Sequence, residues 1–203
     1  IPNLYRPEIA DILEEPKLYA MEKIHGTSAH IKYHADGTLT FFAGGSNHQE
    51  FVSLFDQEKL LSVFKEVVGE LEEVHECGYS WTVFGEAYGG KINAQAWRYG
   101  KKLRFTGFDV LCMTPENEES WLTVPEAQQF VERLGLEFVF WEEVNSDLPT
   151  LDAARDKPST QAERNGIEGD QPTEGVVLRP LTEKPARNFD RMMAKHKRKE
   201  ERE

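Results

Sequence analysis

The feature that most constrains the fold of this chain is a β-hairpin signal in its N-terminal quarter. Residues 30–33 and 39–42 are strand-like runs that flank the dipeptide Asp36-Gly37. That dipeptide tolerates the positive φ angles of a tight turn, so the two runs are expected to pair as antiparallel neighbours. A chain with such a hairpin is not a regular alternation of strands and helices, which favours an α+β fold over a parallel α/β sheet.

The remaining segments predict further strands and a few helices. Apolar residues recur at helical spacing over residues 56–76, and Thr123 with Glu126 forms a capping box for a helix that Leu134 and Gly135 end. Shorter helices are expected over residues 8–13 and 150–156. Strands are expected over residues 18–21, 79–86, 103–112, 137–144, 174–180 and 190–197. We therefore predict one α+β domain over residues 1–203, with Lys23 at the edge of the sheet that contains the hairpin.

The charge of the chain limits its possible partners. A net charge of −12 argues against indiscriminate nucleic-acid binding, because affinity for phosphates comes mostly from Lys and Arg. Two local clusters of positive charge remain, and each is either a solvated face or a place where phosphates bind. One contains Arg98, Lys101, Lys102 and Arg104, and the other contains Arg191, Lys195, Lys197, Arg198 and Lys199.

The sequence also predicts the compartment. No apolar run approaches the ~20 residues of a membrane span, and the N-terminus lacks a signal-peptide pattern. We expect a soluble intracellular protein with no membrane partner, cytoplasmic in the simplest case, with an organellar or phage origin left open. Cys77 and Cys112 stand apart from each other and from any Cys/His cluster, so neither a disulfide framework nor a zinc site is expected.

Residues 21–27 read Met-Glu-Lys-Ile-His-Gly-Thr and offer one lysine between apolar neighbours, followed by a glycine. A lysine amine is a nucleophile only when it is unprotonated, a form that burial and neighbouring cations favour. Lys23 is therefore either a covalent nucleophile or an ordinary lysine at the end of a strand. The short motif alone does not decide between these interpretations.

Other charged residues at predicted strand ends complete a possible site for nucleotidyl transfer. Lys195 and Lys197 are two positions apart, so both point to one face of a strand. Such chemistry needs a nucleophile, cations that hold phosphate, and carboxylates that bind a metal or a ribose. The candidates besides Lys23 are Glu86, Asp109, Glu174, Lys195 and Lys197.

Five segments resemble, in order, motifs I, III, IIIa, IV and V of the covalent nucleotidyltransferases. They are Lys23-Ile24-His25-Gly26-Thr27, Phe84-Gly85-Glu86, Phe105-Thr106-Gly107-Phe108-Asp109, Glu174-Gly175-Val176-Val177 and Lys195-His196-Lys197. The resemblance is strongest to the RNA-ligase-2-like group, which includes phage RNA ligase 2 and the kinetoplastid RNA-editing ligases. His25 is the discriminating residue, because DNA ligases and capping enzymes usually carry aspartate at that position.

The resemblance implies a fold of two antiparallel sheets flanked by helices, with a nucleotide pocket between them. It implies that Lys23 forms a covalent lysyl–AMP with ATP, and that Lys195 and Lys197 contact the α-phosphate. The adenine would be read by Glu22 and the Ile24 backbone and stacked by Phe108, and the ribose would be bound by Glu86. His25 and Gly26 complete the cofactor-binding set of motif I. Glu174, with Asp109, would bind or orient Mg²⁺ or Mn²⁺.

The implied activity is ATP-dependent RNA ligation, in which AMP passes from Lys23 to an RNA 5′-phosphate and is then displaced by a 3′-hydroxyl. The implied partners are RNA ends, and protein partners are not indicated. Two alternatives stay open. One is a DNA ligase or capping-type nucleotidyltransferase, and the other is a degenerate ligase fold that binds RNA ends without sealing them.

The chain departs from the family pattern in two places. Family members usually carry an arginine in the loop after the first hairpin, where this chain has Ala43-Gly44-Gly45-Ser46-Asn47-His48, and Ser28 replaces a frequent asparagine. Asn47 or His48 is the candidate substitute for the arginine. Larger relatives also carry a C-terminal accessory domain, and none is expected within these 203 residues.

Overall fold

The structure is a computed structural model that describes residues 1–75, 79–187 and 191–201. The chain divides into two compact units. The first unit contains Ile1–His25, Arg98–Gly100 and Val139–Glu203, and the second contains Gly26–Trp97 and Lys101–Phe138. Each unit is built on one antiparallel sheet with helices beside it, which confirms the predicted α+β class.

The elements follow one another in a mixed order. The strands are β1 (Lys17–Lys23), β2 (Gly26–Tyr33), β3 (Leu39–Ala43), β4 (Ser80–Gly89), β5 (Leu103–Met113), β6 (Glu119–Trp121), β7 (Trp141–Asn145), β8 (Gly175–Pro180) and β9 (Ala194–Lys197). The α-helices are α1 (His48–Val52), α2 (Gln57–His75), α3 (Val124–Arg133), α4 (Leu148–Arg155) and α5 (Thr160–Arg164). Three short 3₁₀ helices cover Pro7–Glu14, Ala96–Tyr99 and Lys199–Glu201.

The first unit has a four-stranded sheet in the order β7-β1-β8-β9. The strand β1 lies inside this sheet, and five of its seven residues are buried in succession. Its Leu18 packs in one apolar cluster with Leu178 of β8, Leu151 of α4 and Ile9 of the N-terminal 3₁₀ helix. This cluster supports the strands that carry the charged residues discussed below.

The second unit has a five-stranded sheet in the order β3-β2-β4-β5-β6. The predicted hairpin joins β2 to β3, and the N–H of His34 donates to the Thr38 carbonyl oxygen at 2.8 Å while Gly37 takes a φ of 82°. Aromatic side chains from α2 and α3 cover one face of the sheet. The ring of Phe64 stacks on Tyr33 with centroids 5.6 Å apart, and Phe130 stacks on Trp81 with centroids 5.1 Å apart.

Several boundaries differ from the sequence predictions. Lys23 does not lie at the edge of the hairpin sheet, because β1 pairs with β7 and β8 in the other sheet. The predicted strand 137–144 begins only at Trp141. Before it, Phe138 makes an isolated bridge to Gly107. The last strand is shorter than predicted and begins at Ala194.

Two short helices, α1 and α5, were not predicted, because five residues are too few to show a helical period. The predictions for Glu76, Cys77 and Asp190 lie outside the described residues. Over the part of the chain that the structure describes, no helix is both long and apolar enough to cross a membrane.

Candidate active site

The register of the first sheet brings three motif segments side by side. Gly175 of β8 lies opposite Lys23 of β1 on one side and opposite Lys197 of β9 on the other. Directly opposed residues of antiparallel strands have Cα atoms only about 4.5–5.5 Å apart. Glu174, which precedes Gly175, is thereby placed between two lysines that lie 174 positions apart in the sequence.

The side chains of these residues meet at one carboxylate oxygen. The Nζ atom of Lys23 lies 2.9 Å from Oε1 of Glu174, and the Nζ atom of Lys197 lies 3.3 Å from the same oxygen. The exposed fractions of the three side chains are 25%, 14% and 18% in the order Lys23, Glu174 and Lys197. The charges are therefore partly shielded from water, which strengthens their interaction.

The charge state of Glu174 follows from these contacts. Burial acts to raise the pKa of the Glu174 carboxyl, but the neighbouring Lys23, His25 and Lys197 outweigh it and hold the pKa below its ordinary value. Glu174 is therefore ionised at neutral pH. The Lys23 amine can attack phosphorus only in its neutral form.

Glycine is required at position 175. Its φ is 139°, a backbone conformation that residues with a side chain rarely adopt. A Cβ atom there would also collide with the carbonyl oxygen of His196 on β9. Gly175 thus lets β8 and β9 approach closely where Glu174 meets Lys197.

The two lysines of β9 do not make the same contacts. Lys195 lies opposite Val177, and none of the ion pairs found among the described residues includes it. Its backbone N–H donates to the Pro2 carbonyl oxygen at 2.9 Å, and its carbonyl oxygen accepts from the Leu4 N–H at 3.0 Å. The spacing predicts that both lysines face one side of β9, and the structure supports this because both are half-buried while Ala194 and His196 are buried.

The predicted adenine-reading residue Glu22 is buried and already has protein partners. Its carboxylate accepts hydrogen bonds from the Ser159 hydroxyl and, at 3.1 Å, from the Gln161 N–H at the start of α5. Burial raises the pKa of Glu22, an effect that these two donors offset only in part. Each carboxylate oxygen has a second lone pair, so a contact with adenine stays a prediction.

His25 is held in place by a residue that no sequence motif indicated. The hydroxyl of Tyr99 accepts a hydrogen bond from the His25 backbone N–H at 3.1 Å, and it lies 3.1 Å from Nδ1 of the His25 ring. Burial raises the pKa of Tyr99, so the hydroxyl keeps its proton. Ile24 is buried beside them at 4% exposure, and the role of its backbone stays a prediction.

Ser159, Gln161 and Tyr99 were not identified from the sequence. Their partners lie 137, 139 and 74 positions away, so no local spacing could have indicated these contacts. The only usable signal would have been the turn residues before α5, where Ser159 caps the helix by accepting from the Ala162 N–H.

The second unit holds the remaining predicted residues. Gly26 begins β2, and a Cβ added to it would lie 2.7 Å from Cγ of Glu86, so these two motif residues are neighbours. The carbonyl oxygen of Gly26 also accepts a hydrogen bond from Asn93 Nδ2 at 3.3 Å. Glu86 is half-buried on β4, opposite Ser28 and Thr106.

Phe108 lies at a β-bulge. Phe84 is opposite Asp109 and Gly85 is opposite Gly107, which leaves Phe108 as an extra residue in β5. Bulges redirect a side chain and often occur beside functional sites. Asp109 is buried at 3% exposure, and its Oδ1 accepts from the Val110 N–H at 3.1 Å.

One ionised carboxylate of the candidate site suits a magnesium ion that arrives with a nucleotide. No group of three or more His, Cys, Asp or Glu residues that could hold a metal exists among the described residues. Mg²⁺ is usually held by one or two carboxylates together with substrate phosphates and water. The ionised Glu174 fits that requirement, and the role of Asp109 stays a prediction.

The loop after the first hairpin also has a defined structure. Oδ1 of Asn47 accepts from the N–H groups of Gln49 and Glu50 and caps α1. That oxygen already accepts two hydrogen bonds from the helix backbone, whereas the His48 side chain is exposed to solvent. Whether either residue replaces the arginine of the family stays a prediction, with His48 the better placed.

Solved structures with the same fold come from RNA ligases. A variant of the Naegleria gruberi RNA ligase with ATP and Mn matches with a TM-score of 0.62 and 16% identity over 98% of this chain and 55% of that chain. The same ligase with PPi matches with a TM-score of 0.57 and 17% identity over 93% of this chain and 52% of that chain. An archaeal ATP-dependent RNA ligase matches with a TM-score of 0.53 and 16% identity over 96% of this chain and 48% of that chain.

At these identities the likeness establishes the fold, and this chain spans about half the length of each of those proteins. Among curated proteins the comparison finds no matching sequence. A family model described as RNA ligase matches residues 16–197, a range that extends from β1 to β9 and includes all five motifs. The chain therefore belongs to the RNA ligase family.

Proposed function

We propose that this chain catalyses ATP-dependent RNA ligation, joining an RNA 5′-phosphate to a 3′-hydroxyl. The observation that carries the proposal is the contact of Lys23 and Lys197 with one oxygen of Glu174. Three motifs from distant parts of the chain converge there, as nucleotidyl transfer requires. Membership of the RNA ligase family and the fold shared with an archaeal ATP-dependent RNA ligase support the choice of ATP and RNA.

In the first step, the neutral Nζ of Lys23 attacks the α-phosphorus of ATP. A P–N bond forms, the P–O bond to pyrophosphate breaks, and the nitrogen, which becomes positively charged on attack, releases one proton to water. Negative charge on the α-phosphate is offset by Lys197 and by Lys195 on the same face of β9. The product is AMP joined to Lys23 through a phosphoramidate bond.

In the second step, an RNA 5′-phosphate oxygen attacks the same phosphorus, and the P–N bond to Lys23 breaks. In the third step, a 3′-hydroxyl attacks the RNA 5′-phosphorus, AMP leaves, and a phosphodiester bond forms. The chain's contribution to each step is to position the reacting groups and to neutralise charge. A bound divalent cation would supply further charge neutralisation at the phosphates, and Glu174 and Asp109 are its candidate ligands.

The nucleotide contacts form the second part of the proposal. Phe108, which the bulge sets apart from the regular alternation of β5, stacks on the adenine ring. Glu86 hydrogen-bonds the ribose, and Glu22 with the Ile24 backbone reads the adenine edge. His25 and Gly26 belong to the proposed cofactor-binding set; His25 is held by Tyr99 within the first unit, and Gly26 lies close to Glu86 within the second.

Covalent labelling tests the first step. The chain is incubated with ATP labelled at the α-phosphate and a divalent cation, and we expect label that stays on the protein and is released by acid. Lys23→Ala should abolish the labelling. Lys17→Ala is the matched control, because Lys17 is on the same strand but is 56% exposed and pairs with Glu143. Label that persists in Lys23→Ala would show that Lys23 is not the nucleophile.

A second assay separates ligation from the alternatives. The chain is offered RNA that already carries AMP on its 5′ end, without ATP, and sealing to a 3′-hydroxyl is measured. Sealing is expected, and its absence would indicate a fold that binds RNA ends without joining them. Labelling with GTP in place of ATP, or sealing of DNA ends in preference to RNA ends, would favour the capping-type or DNA ligase alternative.

A further inference from the structure

The segment between Glu86 and Asp109 is unusual in its charge. Residues 87–108 contain no Asp or Glu, although the chain has 36 of them, and every other interval between consecutive acidic residues is shorter. The same segment contains five basic residues, namely Lys91, Arg98, Lys101, Lys102 and Arg104. This segment of a chain with a net charge of −12 is therefore a region where positive charge is not interspersed with negative charge, as residues 191–199 also are.

The backbone of residues 89–96 in this segment is held in place within the second unit. The Ile92 N–H donates to the Gly89 carbonyl oxygen at 3.3 Å, and the Ala96 N–H donates to the Asn93 carbonyl oxygen at 3.2 Å. The Asn93 side chain reaches the Gly26 carbonyl oxygen at 3.3 Å. Ala96 is only 2% exposed, so its side chain is packed against the protein and helps to hold this part of the segment in place.

Trp97 is exposed although its neighbour Ala96 is buried. Its exposed fraction is 64%, larger than that of any other exposed large apolar residue among the described parts of the chain. A tryptophan exposed to this extent presents part of its aromatic ring at the surface, where a flat ligand can reach it. Every nucleobase has a flat face that can stack on an aromatic ring of this kind.

Four cations of this segment are available to a ligand. Lys91, Lys101 and Lys102 are exposed, and Arg104 is half-buried. No ion pair found among the described residues includes any of these four side chains. Elsewhere in the same unit an arginine is paired, since NH2 of Arg133 lies 2.7 Å from Oε2 of Glu70.

Arg98 is different from the other basic residues. Its NH1 donates to the Pro172 carbonyl oxygen at 3.3 Å, within the first unit. Arg98 therefore serves the packing of its own unit. The cationic surface consists of Lys91, Lys101, Lys102 and Arg104 with Trp97, and we refer to these five residues as the β4–β5 surface.

We propose that the β4–β5 surface binds an unpaired stretch of the RNA substrate, with Trp97 stacking on a base and Lys101 and Lys102 contacting phosphates. The inference rests on the proposed function, since it takes RNA as the substrate. Trp97 and Lys101 are four residues apart, so their Cα atoms lie within ~14 Å of each other, a distance that one short stretch of nucleotides can span. A base that is stacked in a duplex could not also stack on Trp97, which favours a single strand over paired RNA.

RNA binding is measured without ATP, by fluorescence anisotropy of a labelled single-stranded oligoribonucleotide of about 20 nucleotides. Trp97→Ala should weaken binding about 5- to 150-fold, the range expected for loss of one stacked base. Trp97→Phe keeps an aromatic face and should restore most of the affinity. Unchanged binding by Trp97→Ala, or equal losses for Trp97→Ala and Trp97→Phe, would overturn the stacking role.

The phosphate contacts are tested through salt. Lys101→Ala combined with Lys102→Ala should reduce the dependence of log affinity on log salt concentration by about 1.4, because each single-strand phosphate contact contributes about 0.7. The matched control is Lys59→Ala with Lys65→Ala, which removes the same charge from exposed positions on α2 and should leave the slope unchanged. Equal slopes for both double variants would overturn the phosphate contacts.

Two further measurements separate this inference from the proposed function. Lysyl–AMP formation by the wild-type chain needs no RNA, so its failure would count against the ligase activity and leave the binding result intact. Binding to vesicles of anionic phospholipid in place of the oligoribonucleotide would overturn the choice of RNA. Thermal unfolding of each variant confirms that the substitutions at these exposed positions leave the fold intact.

Discussion

Replacing Glu174 with glutamine tests how much its ion pairs with Lys23 and Lys197 stabilise the fold. The substitution keeps the size of the side chain but removes the charge that Lys23 and Lys197 share. Two ammonium groups then remain beside a neutral amide, and their mutual repulsion is no longer offset. We therefore expect Glu174→Gln to lower the free energy of unfolding.

The size of the effect follows from the geometry. At separations of 2.9 and 3.3 Å, each pair has a Coulomb energy of about 5–6 kcal/mol with an effective dielectric constant of ~20. The cost of removing the charges from water cancels much of this, and a hydrogen bond to a charged group contributes about 1.5–3 kcal/mol net. Because glutamine keeps one acceptor oxygen, we expect a loss of roughly 2–4 kcal/mol, which lowers Tm by about 4–16 °C in a chain of this size.

A double-mutant cycle with Lys23→Ala gives a sharper test than the single variant. In the wild-type background, Lys23→Ala leaves Glu174 with one cation fewer and should lower the free energy of unfolding. In the Glu174→Gln background the same substitution removes a repulsion and should raise that free energy. A coupling energy of about 1–3 kcal/mol is expected from chemical denaturation of the four proteins.

An exposed pair on the same sheet provides the control for this cycle. Lys17 and Glu143 lie 3.6 Å apart with exposed fractions of 56% and 44%. Pairs of this kind contribute about 0–1 kcal/mol, so Glu143→Gln should change stability little. If Glu174→Gln is equally mild, or if the effects of Lys23→Ala and Glu174→Gln simply add, the shared-oxygen arrangement does not stabilise the fold.

Three further substitutions test other parts of the structure. Burial raises the pKa of Glu22 in the folded state, so its contribution to the free energy of unfolding falls as pH rises from the unfolded pKa through the folded one. Glu22→Gln should remove that fall, as urea denaturation between about pH 4 and pH 8 would reveal. Gly175→Ala should cost at least about 1–3 kcal/mol through its positive φ and the collision with His196, and it should also reduce labelling by ATP. Thr123→Ala should cost about 1 kcal/mol, since it removes the capping box with Glu126, and a thermal melt would measure the loss.

Features that depend on neighbouring residues could be predicted from the sequence. The hairpin turn is set by Asp36 and Gly37, and the start of α3 is set by Thr123 and Glu126, which are three positions apart. In these places the residues that determine the structure are also the residues that form it. The local sequence was sufficient there because the turn and the helix cap are each formed by residues a few positions apart.

The position of β1 could not be predicted in the same way. Residue 23 is followed almost directly by the hairpin, so the simplest expectation was one continuous sheet. The structure instead pairs Lys17 with Asn145 and Lys23 with Gly175. Strand pairing at such separation depends on which buried surfaces fit together, and periodicity does not record that information.

The identity of the site residues and their arrangement were predictable to different degrees. Lys23, Glu174 and Lys197 were selected by their resemblance to family motifs, and the structure brings them into contact. Tyr99 carries no motif, yet its hydroxyl holds the backbone and ring of His25. Residues that position a site interact through single long-range contacts, so they leave no repeated pattern in the sequence.

The segment Lys195-His196-Lys197 shows how one short strand serves two purposes. Because side chains alternate along a strand, the lysines share one face and His196 faces the other way. His196 is fully buried, and its Nε2 lies 2.7 Å from Oδ1 of Asp152 on α4. The N-terminal residues pair with the free edge of β9 through Lys195.

These contacts explain how a four-residue strand can hold two cations at a fixed place. Hydrogen bonds to β8 on one side and to residues 2–4 on the other fix its backbone, and the contact between His196 and Asp152 fixes its rotation. Lys197 can then reach Glu174 without the loss of order that a flexible loop would require. The alternation of basic residues with a buried histidine thus places the two lysines that we propose to bind phosphate, and it also anchors the strand that carries them.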